Sequence, residues 1–121
     1  MKDNNVIRDK SKRFAVRIIR FYKYLVDEKK ENVISKQILR SGTSIGANVR
    51  ESGRAQSNAD FYSKLNIALK EADETAYWLE ILYEAKIIEK KQYFSLYDEC
   101  EELISILTSI TKTQNHKIQQ K

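Results

Sequence analysis

Residues 35–51 read Ser35-Lys36-Gln37-Ile38-Leu39-Arg40-Ser41-Gly42-Thr43-Ser44-Ile45-Gly46-Ala47-Asn48-Val49-Arg50-Glu51. How the middle of this stretch is read decides the fold. Ser41 to Asn48 is rich in Ser, Thr, Gly and Asn, all weak helix formers, so a loop competes with a helix. The apolar phase argues for the helix. Ile34, Ile38, Ser41, Ile45, Asn48 and Ser52 follow four- and three-residue steps without interruption, with Val49 beside them. One helix over about residues 33–53 is therefore expected. Ser35, Gly42, Gly46 and Gly53 fall along one side of it, away from the Ile34–Ile38–Ile45 face. Glycine inside a helix costs about 1 kcal/mol relative to alanine. Gly42 and Gly46 thus point to close approach of another helix, within the chain or between subunits, with a local kink as the alternative.

The flanking sequence repeats the helical pattern. Phe14, Ile18, Phe21 and Leu25 mark a first helix from about Asp9 to Asp27. Glu28 to Asn32 forms the break, and Asn32 is placed to cap the next helix. Ser57 and Asp60 read as a capping box opening a third helix over about 58–84. Its stripe is Phe61, Leu65, Ala68, Ala72, Thr75, Leu79 and Leu82. Ile88 and Tyr93 are spaced as a hydrophobic staple around Glu89, opening a fourth helix over about 90–113. That helix carries Tyr93, Leu96, Cys100, Leu103, Leu107 and Ile110. Residues 1–8 are expected to be flexible and 114–121 a frayed polar tail. Short connections favour sequential antiparallel neighbours, so the expected fold is an all-α, up-down-up-down four-helix bundle.

Composition supports the same class. The 121 residues include no proline and three glycines. Average usage would supply about six and about eight. So few turn formers argue against a sandwich, a barrel or a doubly wound sheet. One domain is expected from the length. A single cysteine can form neither an intrachain disulfide nor a zinc cluster, which suits a reducing compartment. Cys100 fits as a small buried apolar residue. No secretion signal is visible, and the longest uncharged runs, Ser41 to Val49 and Leu103 to Thr111, are nine residues each. A membrane helix needs about 20. A cytoplasmic protein with no membrane partner is expected.

Catalysis has little material. His116 lies in a polar tail with no Cys or carboxylate nearby and reads as a solvated histidine. No Glu-x-x-His pair and no glycine-rich phosphate loop occurs. A non-catalytic protein with no cofactor, no metal and no small-molecule substrate is expected.

Charge carries more information. The net charge of +5 conceals a segregation. Residues 8 to 23 hold seven basic residues against Asp9 alone, whereas residues 58 to 84 hold six acids against two lysines. On a helical wheel Lys10, Arg13, Arg17 and Arg20 form one stripe opposite the Phe14–Ile18–Phe21–Leu25 core, with Lys23 further along the helix. Such a stripe neutralises phosphates without reading bases; an ordinary solvated face is the alternative. A second apolar strip lies on the third helix. Ile67, Trp78 and Ile81 sit away from the Leu65–Ala72–Leu79 face, with Tyr77 also off it. Tryptophan is enriched at interface anchors, so this strip is a candidate oligomer contact.

The quoted stretch, together with Asp60-Phe61, Lys64-Leu65, Ile67-Ala68, Lys70-Glu71-Ala72, Glu74-Thr75 and Tyr77-Trp78-Leu79-Glu80, resembles the signature of the bacterial 23S rRNA intervening-sequence proteins. The resemblance spans roughly residues 6 to 110. It implies a four-helix bundle assembling as a ring-like homopentamer, encoded by genes often inserted within large-subunit ribosomal RNA genes. A relative, the accessory subunit of diversity-generating retroelements, binds a reverse transcriptase and nucleic acid through basic surface. The resemblance implies no catalytic activity. It makes Gly42 and Gly46 structural and gives Asn48 a buried polar contact with a neighbouring helix. Arg40, Arg50 and Arg54 would add cations to the surface of the assembly. Glu89 departs from the pattern, because family members often place Ser or Thr there. Two functions follow as expectations: a scaffold binding RNA through the first helix, or a module docking an acidic or RNA-bound protein such as a reverse transcriptase.

Overall fold

The computed structural model describes the backbone of residues 2–119 and the side chains of residues 5–113. Four helices occupy it: α1 (Lys2–Asp27), α2 (Ile34–Ser52), α3 (Asn58–Glu84) and α4 (Lys90–Gln119). Two boundaries differ from expectation. The segment 1–8 was read as flexible, yet α1 begins at Lys2 and Ile7 is buried in the core. Ile7 extends the α1 apolar stripe one heptad beyond Phe14, which holds this turn in the helix. α4 continues to Gln119, beyond the end expected near Thr113. The His116 side chain lies outside the described residues.

α2 runs unbroken through Ser41–Asn48. Its weak helix formers turn back onto their own backbone. Thr43 Oγ1 donates to the Leu39 carbonyl at 2.7 Å, Ser44 Oγ to the Arg40 carbonyl at 2.6 Å, and Asn48 Nδ2 to the Ser44 carbonyl at 2.9 Å. Side chains that elsewhere compete with the helix here cover its polar groups. Tertiary burial of Ile38, Ile45 and Val49 does the rest.

The core joins all four helices. Phe14, Ile18, Leu25, Ile38, Ile45, Leu65, Leu79, Leu82, Leu103 and Leu107 are essentially sealed from solvent. Burying each such side chain is worth about 1.5–3 kcal/mol. The glycines mark where α1 and α2 approach. A methyl group on Gly42 would lie 2.8 Å from Ile18 Cγ1 and Cγ2, and one on Gly46 would lie 3.3 Å from the Ser11 carbonyl oxygen. Between α2 and α3, Thr75 Oγ1 donates to Ser41 Oγ at 2.9 Å, and Lys64 Nζ lies 3.3 Å from Glu51. Between α3 and α4, the Cys100 thiol donates to the Ala72 carbonyl at 3.3 Å. Tyr83 stacks on Tyr93 with centroids 4.5 Å apart. Burial, then the nearby Glu101 and Asp73, push the Cys100 thiol up to about 12.

The breaks between helices use lysine where glycine is common. Lys30 (φ 56°) and Lys86 (φ 62°) adopt the left-handed conformation that usually falls to glycine after a helix. Ser57 caps α3 as expected: its side chain accepts from the Asp60 N–H at 3.1 Å. The α2 cap is a correction. Asn32 does not cap; its side-chain amide donates to the Lys30 carbonyl at 3.4 Å. Glu31 caps instead, accepting from the N–H groups of Val33, Ile34 and Ser35 at 3.1, 3.0 and 2.6 Å. A longer side chain one residue earlier reaches three donors, and its charge complements the helix N-terminus.

Candidate nucleic-acid interface

The basic stripe of α1 splits in two. Lys10 and Arg17, one heptad apart, flank the core rather than opposing it. Lys10 Nζ pairs with Glu102 at 3.0 Å. Arg17 pairs with Glu99 and donates to the Ser95 hydroxyl at 3.0 Å. Both are therefore engaged with α4. Arg13, Arg20 and Lys23 are exposed and form no ion pair among the described residues. Arg40 is also engaged, pairing with Glu71 at 3.0 Å and with Glu74. Glu74 in turn accepts from the Trp78 indole at 3.0 Å. The bonds from Trp78 and Arg40 hold the Glu74 carboxyl below its ordinary range, outweighing partial burial.

A different set of cations is brought together. An open groove of about 770 Å³ lies between the N-terminal half of α1 and the C-terminal half of α2. Arg8 and Lys12 line it from α1, Arg50 and Arg54 from the α2 end. All four are exposed and form no ion pair among the described residues. Ala15, Gly46, Ala47 and Gly53 are the small residues that line it between them. Thr43 and Asp9 complete the lining. Four cations against one carboxylate leave the cleft net positive, which raises the local concentration of anions.

This groove was not visible as a unit in the sequence. Arg8 and Lys12 are about 40 residues from Arg50 and Arg54, and only the α1–α2 crossing joins them. The available signal was the glycine line, which fixes where the two helices touch. Gly46 and Gly53 sit in the groove itself, whereas Gly42 lies deeper, against Ile18.

The remaining candidate residues are placed as follows. Asn48 was expected to satisfy a contact on a neighbouring helix; it donates instead within α2, because Ser44 lies one turn away. On α3, Ile67 (40%) and Tyr77 (55%) are exposed, while Trp78 and Ile81 are half-buried. No described helix is long and apolar enough to cross a membrane.

The described residues form a four-helix, strand-free protein with four unpaired cations lining one groove between α1 and α2. The chain belongs to the 23S rRNA-intervening sequence protein family, whose model matches residues 3–109. A solved structure, that of a protein of unknown function from the S23 ribosomal protein family of Bacteroides thetaiotaomicron VPI-5482, is 59% identical with a TM-score of 0.89. The match covers 91% of this chain and 98% of that one. No curated protein matches.

Proposed function

We propose that the chain is a non-catalytic, homo-oligomeric scaffold that associates with RNA through the basic α1–α2 face. The observation that carries this reading is the sorting of cations. Lys10, Arg17, Arg40 and Lys64 are engaged with carboxylates, whereas Arg8, Lys12, Arg50 and Arg54 converge on one groove without an acidic ion-pair partner among the described residues. Other cations, Lys70, Lys86, Lys90, Lys91 and Lys112 among them, are also unpaired, but only these four line a common groove among the described residues. Family membership supports RNA as the polyanion.

In this reading the helices form an antiparallel up-down-up-down bundle. The contacts support it: Gly42 meets Ile18 while Gly46 meets Ser11, and Tyr83 meets Tyr93 while Ala72 meets Cys100. The bundles assemble as a ring-like homopentamer in the cytoplasm, using the Ile67–Tyr77–Trp78–Ile81 strip. Five copies would carry a charge of about +25 and convert weak phosphate contacts into avidity. Light scattering should give a mass about five times the 14.2 kDa of the chain; a clean monomer at micromolar concentration refutes the assembly.

For binding, an RNA hairpin titrated by fluorescence anisotropy at several salt concentrations should show affinity falling steeply with salt. Absence of salt-dependent binding by the unaltered protein refutes the RNA reading. The same unpaired cations favour a second reading, a module whose basic surface docks an acidic or RNA-bound protein such as a reverse transcriptase. Pull-downs with and without nuclease separate the two, since a docked protein survives nuclease.

A further inference from the structure

We infer that the α1–α2 groove is a seat for the ribose–phosphate backbone of RNA, its four cations taking phosphodiester oxygens and Asp9 accepting a ribose 2′-hydroxyl. The inference rests on the RNA reading above and says where, and by what chemistry, RNA is held.

Three observations carry it. The first is the wall. Arg8, Lys12, Arg50 and Arg54 line one groove from both helices and form no ion pair with a protein carboxylate among the described residues. Arginine offers a planar fork of donors matched to phosphate oxygens, and three of the four are arginine.

The second is the small lining. Ala15, Gly46, Ala47 and Gly53 have short side chains or none, which leaves an open trough of about 770 Å³ between the cations. No aromatic side chain lines it. Proteins that grip single strands by their bases stack them on aromatic rings. A cationic trough without such a platform grips the backbone and leaves sequence unread.

The third is Asp9. A lone carboxylate in a groove built for anions repels phosphate and so looks misplaced. It forms no ion pair among the described residues. A carboxylate only accepts hydrogen bonds. A phosphodiester has no proton to give, whereas the 2′-hydroxyl beside it does. Cations with one acceptor among them are thus the complement of ribose phosphate, and deoxyribose phosphate leaves the acceptor unmatched. The 2′-hydroxyl is the group by which proteins tell RNA from DNA.

The test uses two hairpins of the same stem sequence, one RNA and one DNA, titrated against the full chain. The unaltered protein should prefer RNA by about fivefold, the worth of one hydrogen bond. Arg50→Gln with Arg54→Gln should weaken RNA binding and lower the salt slope by about two. Asp9→Ala should bring the RNA-to-DNA ratio close to one, chiefly by improving DNA binding. The control is Arg13→Gln with Arg20→Gln, which alters α1 outside the groove and should weaken binding less than the groove pair.

If the unaltered protein binds no RNA, the functional reading falls and the groove with it. If it binds RNA, but the groove pair leaves affinity and slope unchanged while the control pair lowers them, the groove alone is wrong. If Asp9→Ala tightens RNA and DNA by the same factor, Asp9 is merely repulsive and its assignment is overturned.

Discussion

Replacing Gly42 with alanine should destabilise the protein, although the same change in an exposed helix would stabilise it. Alanine is favoured over glycine in a helix interior by about 1 kcal/mol. At Gly42 that gain meets a collision. The new methyl would stand 2.8 Å from both Cγ1 and Cγ2 of Ile18. Optimal carbon–carbon separation is about 3.5–4.0 Å. Ile18 has no room to swing away, because it is fully buried and its branched side chain is stiff in a helix. Extra volume forced into a packed core costs about 1–3 kcal/mol. The two terms leave a net loss of up to about 2 kcal/mol.

Urea unfolding at fixed protein concentration reads this as a lower midpoint with an unchanged slope. The matched control is Ile18→Ala, alone and combined with Gly42→Ala. Removing Cγ1 and Cγ2 leaves only the Cβ, 3.2 Å from the new methyl, so most of the Gly42→Ala loss should vanish in that background and the pair should be less unstable than the separate losses predict. A midpoint that rises in Gly42→Ala alone would show that the helices are not in contact there, and the reasoning about the glycine line would fall.

Three other outcomes are expected. Lys86→Gly should raise stability by several tenths of a kcal/mol, since glycine relieves a left-handed backbone costing about 1 kcal/mol but frees the unfolded chain; a lower thermal midpoint refutes this. Partial burial raises the Glu31 carboxyl, but the backbone N–H groups of Ile34, Ser35 and Val33 outweigh it and hold the group below its ordinary 4.5. Its stabilisation is therefore present above about pH 4.5 and lost as pH falls through the lowered value. Glu31→Gln should accordingly cost about 1 kcal/mol at pH 7, with the gap closing as pH falls below 4.5, and a gap that stays constant with pH contradicts the cap. Cys100, buried and pushed up to about 12, should resist alkylation at pH 8 until the protein unfolds, and rapid labelling of the native protein would refute that placement.

The all-helical class and the start of α3 were legible because each depends on local pattern. Heptad spacing of Leu65, Ala72, Leu79 and Leu82 has one good solution, and Ser57 with Asp60 marks a start that needs no tertiary partner. The start of α1 was missed because one apolar residue, Ile7, holds it, and its value depends on what packs above. Asn32 reads as the cap because short polar side chains usually cap, whereas Glu31 reaches three donors from a left-handed turn at Lys30 that no glycine announces. For the candidate site, the number of cations in α1 was legible but not their division. Which are engaged depends on α4 carboxylates some 80 to 90 residues away, Glu99 for Arg17 and Glu102 for Lys10.

Gly46 does two things at once. It lets the α1 backbone come close at Ser11, and it forms part of the groove lining. A larger residue there would wedge the helices and shallow the trough in one step. Stability and ligand capacity are thus not separate traits at this position. The charges around the groove can be altered one at a time, but Gly46 can be altered only together with the α1–α2 packing against Ser11.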